Sequence, residues 1–327
     1  MLRGDLIEAV RTSLQGAGFD VSERCDLRPV SFDLVARRGR DLVMVKVLGN
    51  VDALTEPIAQ EIKVLCKFLD ARPILVGLRS GAGGLEDGVV YNRHDIPIMT
   101  PATLDHYVHD GEQPMVYAAP GGFYVQLDAA ALRAAREAAQ VSLGMMAQIA
   151  GVSRRAIQMY EEGMSASIDA AMRLEEALQA QFIRPIDPFA SFDPASFEVP
   201  KPQGPAGDPL EAAVLRMLEA LGFSVRSTRR SPFNALSTDD AAKPASVDST
   251  ILTGVGEDSP QLRRRARVVA SLSRVTERPG LFIVERTTRT DLEGTPVVTR
   301  AELRRLDDPE AILQLILERQ GRQARPE

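Results

Sequence analysis

Cysteine and histidine are scarce in this chain of 327 residues, which holds two of the first and three of the second. Cys25 and Cys66 lie far apart and outside any Cys-x-x-Cys arrangement, which excludes a zinc ribbon and a disulfide framework, and both thiols are expected reduced. No stretch approaches the ~18 consecutive apolar residues of a membrane span, and the N-terminal MLRGDLIEAV lacks the apolar run of a signal peptide. A cytoplasmic protein that stays out of the membrane is the expectation. Gly-rich phosphate loops, a nucleophile elbow and triad spacings are absent as well, so no cofactor is expected and no small-molecule effector is signalled. Positive charge is in deficit, with 39 Lys and Arg against 45 Asp and Glu for a formal net charge of −6. That balance argues against indiscriminate nucleic-acid binding, whose affinity comes from phosphate neutralisation, but it leaves room for a local basic surface.

What is present is an ordinary globular composition, 44% hydrophobic and 26% charged, in a chain long enough for two or three domains. Residues 1–117 alternate helical and strand periods. LIEAVRTSLQGAGF reads as an amphipathic helix ended by glycine, SFDLVARRGRDLVMVKV as two strands around Arg38-Gly39-Arg40, PIAQEIKVLCKFLDA as a second helix and RPILVGL as a buried strand. Residues 123–180 open on the short strand FYVQL and are otherwise helical. The Pro-rich linker 184–209 shows neither period and is expected extended or mobile, with phenylalanines that can pack on a neighbouring domain.

Residues 210–327 then repeat the first segment. GDLIEAVRTSLQGAGFDV reappears as GDPLEAAVLRMLEALGFSV, SFDLVA as PFNALS, IAQEIKVLCKFLDARPILVGL as LRRRARVVASLSRVTERPGLFIV, and IPIMTPATL as TPVVTRAEL. Four matched blocks in one order imply two copies of an α/β unit on either side of a helical domain, and such copies can pair with each other.

The helical segment carries the sharpest spacing. In SLGMMAQIAGVSRRAIQMYEEG, Ala147, Gly151 and Ile157 fall where a helix-turn-helix needs a small residue for close helix approach, a glycine to turn the chain and an apolar anchor for the second helix. Ser142 and Ser153 are each placed to cap one helix. Met146, Val152 and Ile157 are expected in the core, completed by Ile168, Leu174 and Leu178. Arg154, Arg155 and Gln158 remain on the outer face, where arginine can pair with guanine O6 and N7 and glutamine with adenine N6 and N7.

Residues 131–178 resemble the lambda-repressor-like, or xenobiotic-response-element, helix-turn-helix, and the whole chain resembles archaeal HTH-type transcriptional regulators. The resemblance implies a five-helix DNA-binding domain whose third helix, Ser153 to about Glu162, enters the major groove. It also implies base-edge contacts from Arg154, Arg155 and Gln158 beside Ser153, and backbone phosphate contacts from Ser142 and the first turn of its helix, which includes Leu143. Two residues depart from the pattern: Ala150 stands where leucine is usual, and Leu143 where a polar phosphate-contacting residue is common.

The first segment raises an enzymatic rival. Its element order, with Glu8, Asp33 and the Met-Val-Lys of residues 44–46, resembles a restriction-endonuclease-like core, whose metal site uses an Asp followed by [DE]-x-K. A hairpin about Gly39 sets Asp33 nearly opposite Lys46 and puts residue 44 on the face of Lys46. Residue 44 is methionine, and a thioether does not replace an oxygen ligand of Mg²⁺. In the second copy Asn234 replaces the aspartate and no lysine follows. A degenerate nuclease fold is therefore expected, with no catalytic or metal-binding residue, and Asp33 and Lys46 read as a cross-strand ion pair of a few tenths of a kcal/mol. His106 and His109 read as a solvated helix end, and Arg263, Arg264, Arg265 and Arg267 as a helix face open to solvent or phosphate.

Together these readings give an α+β multidomain chain, a central helix-turn-helix between two degenerate endonuclease-like repeats. The function expected is non-enzymatic and regulatory, binding double-stranded DNA as a homodimer on a two-fold site. The rivals are a metal-dependent nuclease targeted by its helix-turn-helix, and a protein-interaction scaffold.

Overall fold

The computed structural model of the chain describes residues 3–26, 30–200, 208–239 and 250–323. The elements begin α1 (Arg3–Gly16), β1 (Asp20–Val21), β2 (Leu34–Arg38), β3 (Asp41–Asn50), α2 (Glu56–Leu69) and β4 (Arg72–Ser80). They continue β5 (Gly83–Gly84), β6 (Val89–Arg93), β7 (Ile96–Met99), α3 (Pro101–His109), β8 (Val116–Ala119) and β9 (Gly122–Leu127). The middle holds α4 (Ala129–Ala138), α5 (Leu143–Ala150), α6 (Arg154–Tyr160), β10 (Ala166–Ser167), α7 (Ile168–Leu178) and β11 (Ile183–Arg184). After it come α8 (Pro209–Ala220), β12 (Phe223–Ser227), β13 (Ala235–Asp239), β14 (Thr250–Gly256), α9 (Pro260–Thr276) and β15 (Gly280–Val284). The chain ends with β16 (Asp291–Leu292), β17 (Thr295–Thr299), α10 (Arg300–Leu303) and α11 (Pro309–Gln323). It forms two units, one of Met1–Ser13, Leu48–Leu54 and Ile74–Phe192, the other of Leu14–Val47, Thr55–Pro73 and Asp193–Glu327.

In the first unit β4 runs parallel to β7, β6 pairs antiparallel with β7 and parallel with β8, and β8 pairs antiparallel with β9. On β9 the helical segment is then anchored from both its middle and its end, because β10 and β11 both pair with β9. Four α-helices, not five, occupy 129–178. After Gln179 ends α7 in the left-handed region, the chain extends, buries Phe182 in the helical core and pairs Ile183 and Arg184 with β9. Pro185 and Pro188 follow, and neither permits a helix interior there. The linker is also more structured than its composition suggests: Phe189 is buried edge-on against Tyr107, 5.0 Å between ring centroids, and Tyr107 donates to Asp187 at 2.7 Å. Linker residues 201–207 lie outside the described residues.

In the second unit β2 and β3 form the hairpin read from the sequence, Leu34 opposite Val45 and Arg38 opposite Asp41, leaving Gly39 and Arg40 as a two-residue loop. Gly39 takes φ +60°, the left-handed conformation such loops require. The later strands run β12-β13-β14 antiparallel, then β14, β15 and β17 parallel, with β16 antiparallel on β17. The positions matched in the sequence make similar bonds. Asp33 accepts the Val47 amide at 2.8 Å as Asn234 accepts the Val255 amide at 2.8 Å, and α2 and α9 both end on a left-handed residue, Asp70 and Glu277.

Residues of the two α/β segments also touch each other inside this unit. Arg37 of β2 donates to the Val275 and Thr276 carbonyls, at 2.6 and 2.9 Å, and lies 3.2 Å from Glu277. Those carbonyls are at the C-terminal end of α9, where the helix dipole favours a cation. On α2 the Glu61 carboxylate accepts the Arg229 and Arg230 amides at 3.1 and 2.7 Å.

Candidate nucleic-acid interface

Helices α5 and α6 begin and end as their sequence dictates. Ser142 Oγ accepts the Met145 amide at 3.2 Å and Ser153 Oγ accepts the Ala156 amide at 3.1 Å, so each serine satisfies one of the orphan donors of a first turn. Between them Gly151 sits at φ +69°, ψ +32°, and Val152 closes the turn by donating to the Ala147 carbonyl at 3.0 Å. A left-handed residue is required at that point, and glycine adopts it without a Cβ penalty.

This turn sets the outward face. Met146, Ala147, Ala150, Ile157 and Leu174 are buried together with Leu132 and Phe182, while Val152, Ile168 and Leu178 pack at the margin. Ser142, Ser153, Arg154, Arg155 and Gln158 are exposed, and Arg154 and Gln158 share one face of α6 a turn apart. Leu143 is half-buried against the core, so of the residues carried over from the resemblance it is the one turned inward. Ala150, small where leucine is usual, is itself buried.

By its sequence Glu161 is one of several acids, with Glu137, Glu162, Glu175 and Glu176, that offset the arginines of this segment. The structure buries it to 6% side-chain exposure, where Arg136 donates to it from Nε at 2.5 Å and Nη2 at 3.1 Å and Arg133 from Nε at 3.3 Å. The end of α6 is thereby bolted to α4. Only the distance of 25 residues between Arg136 and Glu161 hides this from a reading of local spacing.

The endonuclease-like positions are occupied differently from a metal site. Lys46 Nζ lies 3.7 Å from Asp33 Oδ2 and donates to the Val30 carbonyl at 2.9 Å, with side chains 6% and 1% exposed. This is a buried pair, not the weak surface pair read from the sequence; breaking one costs about 3–5 kcal/mol, while forming it earns far less because both ions are desolvated. Met44 is fully buried, its sulfur 4.0 Å from Cys66 Sγ. Both cysteines are buried and free, and burial pushes both thiols up. Glu8 is half exposed beside Arg11 at 3.6 Å. In the later segment Asn234 Nδ2 donates to Glu211 at 2.6 Å, and Arg265 of α9 donates to Asn234 Oδ1. A guanidinium thus reaches this Asn from a helix, where Lys46 reaches Asp33 from a strand. Among the described residues no group of three His, Cys, Asp or Glu is placed to hold a metal ion.

The remaining candidates are engaged locally. His109 lies 3.5 Å from Asp105 one turn earlier in α3. Arg263 pairs with Asp258 at 2.9 Å and Arg267 with Glu293 at 2.7 Å, which leaves Arg264 exposed and without an ion pair among the described residues. Among the described residues no helix is long and apolar enough to cross a membrane.

Comparison with known proteins matches two segments of the chain separately. The description "PD-(D/E)XK superfamily domain" fits residues 3–114, and "Helix-turn-helix" fits residues 132–182. Over 98% of its length the chain is 41% identical to a protein of Methanococcoides burtonii and 40% identical to one of Haloquadratum walsbyi, spanning 99% and 98% of those chains. A protein of Natronomonas pharaonis is 37% identical over 98% of this chain and 99% of its own. All three bear the name "Putative HTH-type transcriptional regulatory protein". No solved structure matches.

Proposed function

The chain belongs to this archaeal family of HTH-type transcriptional regulatory proteins, and on that premise we propose that it regulates transcription by binding duplex DNA through α6, without cleaving it. The observation that carries the proposal is the outward face of α6: a capped helix start presenting Arg154, Arg155 and Gln158 in a chain of net negative charge. Arginine and glutamine are the side chains that read guanine and adenine edges bidentately in the major groove. Ser142 and Ser153 contribute the amide-rich helix starts that suit phosphate oxygens.

The helical domain holds about as many acids as bases, so a single copy gains little from counterion release and binds weakly by itself. A homodimer on a two-fold operator, working in the cytoplasm, supplies the second set of contacts. The two α/β segments are copies of one unit, joined to each other inside the chain through Arg37 and the end of α9, and they serve as its scaffold. Met44 and the Asp33–Lys46 and Asn234–Arg265 pairs support a scaffold that has lost nuclease chemistry.

Selection of bound duplexes from a random pool tests the proposal. A preferred two-fold sequence is expected, and Arg154→Ala or Arg155→Ala should cost about 1–3 kcal/mol on it with folding unchanged. Variants that bind that sequence as tightly as wild type would remove α6 from the interface.

A further inference from the structure

Half of the six arginines between residues 123 and 184 are spoken for. Arg133 and Arg136 hold Glu161, and Arg184 holds Asp128 at 2.7 Å. Three are not: Arg154, Arg155 and Arg173 are exposed, and among the described residues none of them makes an ion pair or hydrogen bond. Arg154 and Arg155 open α6, whereas Arg173 comes from α7.

Its position is informative. Asp169 and Glu176 lie one turn before and after Arg173 on α7, where an ion pair is readily formed. Arg173 takes neither. Its guanidinium instead lies over the turn joining α5 to α6, so close that a methyl group on Gly151 would stand 3.1 Å from Nη1. The turn does not need it: Gly151 and Val152 donate to the Gln148 and Ala147 carbonyls at 3.3 and 3.0 Å, and no hydrogen bond from Arg173 is added. Arg154 and Arg155 follow Gly151 by three and four residues, so three cations without an acid partner among the described residues border this turn, an arrangement that attracts a polyanion.

Resting on the DNA-binding reading above, we propose that Arg173 is a further DNA contact, seated on a backbone phosphate beside the bases that α6 reads. Phosphate contacts fix register without reading sequence, so its signature differs from that of Arg154.

The test measures binding of wild type, Arg173→Gln and Arg173→Lys to the selected duplex and to a random duplex of equal length, from 50 to 200 mM KCl. Arg173→Gln should weaken both complexes alike, by about 3- to 10-fold, and lower the slope of log K against log salt by about 0.9, one phosphate's share. Arg173→Lys should keep most of the affinity, and thermal unfolding should be unchanged in both variants. Unchanged affinity and slope in Arg173→Gln would overturn the assignment, as would a loss confined to the selected duplex, the mark of a base contact. Failure of wild type to bind any duplex would overturn the reading beneath it and this one with it.

Discussion

Replacing Glu161 with glutamine isolates the contact that holds the end of α6 in place. Its carboxylate receives three guanidinium N–H groups, and its own backbone carbonyl accepts from Arg133 Nη2 at 3.1 Å. Hydrogen bonds to charged groups contribute roughly 1.5–3 kcal/mol each, and stranding a buried partner costs about 3–5 kcal/mol. Arg133, at 53% exposure, recovers water when the carboxylate is lost; Arg136, at 16%, recovers little. Glutamine keeps the shape and one acceptor, so Glu161→Gln should cost about 2–3 kcal/mol. A chain of two units does not unfold in one step, so the readout is amide hydrogen exchange over α4 and α6, where protection should fall by about 30- to 150-fold. The double variant Arg136→Met, Glu161→Gln should lose less than the sum of the single variants. Protection within about twofold of wild type would show that the pair does not hold α6, and the reasoning from burial would fail.

Gly151→Val forces a β-branched residue into φ +69° with Arg173 3.1 Å from its Cβ, and should lower the stability of the helical domain by roughly 1–2 kcal/mol or more; urea unfolding at or above the wild-type midpoint would count against the turn. Glu211 titrates in the opposite sense to a salt-bridged acid: burial raises its pKa, opposed by the Asn234 amide. The folded state therefore keeps a proton that the unfolded state has released, and this stabilisation is present below the ordinary glutamate range and lost as pH rises through the raised value. Stability of the C-terminal segment should fall over that window in wild type and less in Glu211→Gln, measured by exchange of the α8 amides at several pH values; identical profiles would refute the assignment.

Local signals explain what the sequence makes legible. The caps at Ser142 and Ser153, the left-handed Gly151 and the Gly39 hairpin each depend on residues within a few positions, so spacing alone announces them. The hairpin register even carries Asp33 to Lys46. What spacing does not announce is which charge is buried. Glu161 meets Arg136 across 25 residues, Arg265 reaches Asn234 across 31, and no helical or strand period connects either pair. The absent fifth helix has a similar origin: Phe182 is claimed by the core and Ile183 by β9, contacts that exist only once the preceding helices have packed.

DNA binding without cleavage is the claim on which the rest depends, because residues 3–114 match a nuclease superfamily. The most direct measurement incubates wild type and Asp33→Ala with the selected duplex, and with branched and single-stranded DNA, in Mg²⁺, in Mn²⁺ and in chelator. The expected result is a retained complex on the selected duplex and intact DNA throughout, since Asp33 is already occupied by Lys46 and the Val47 amide and Met44 offers no oxygen ligand. Cleavage that requires the metal and disappears in Asp33→Ala would make the protein an enzyme and reduce α6 to its means of finding DNA.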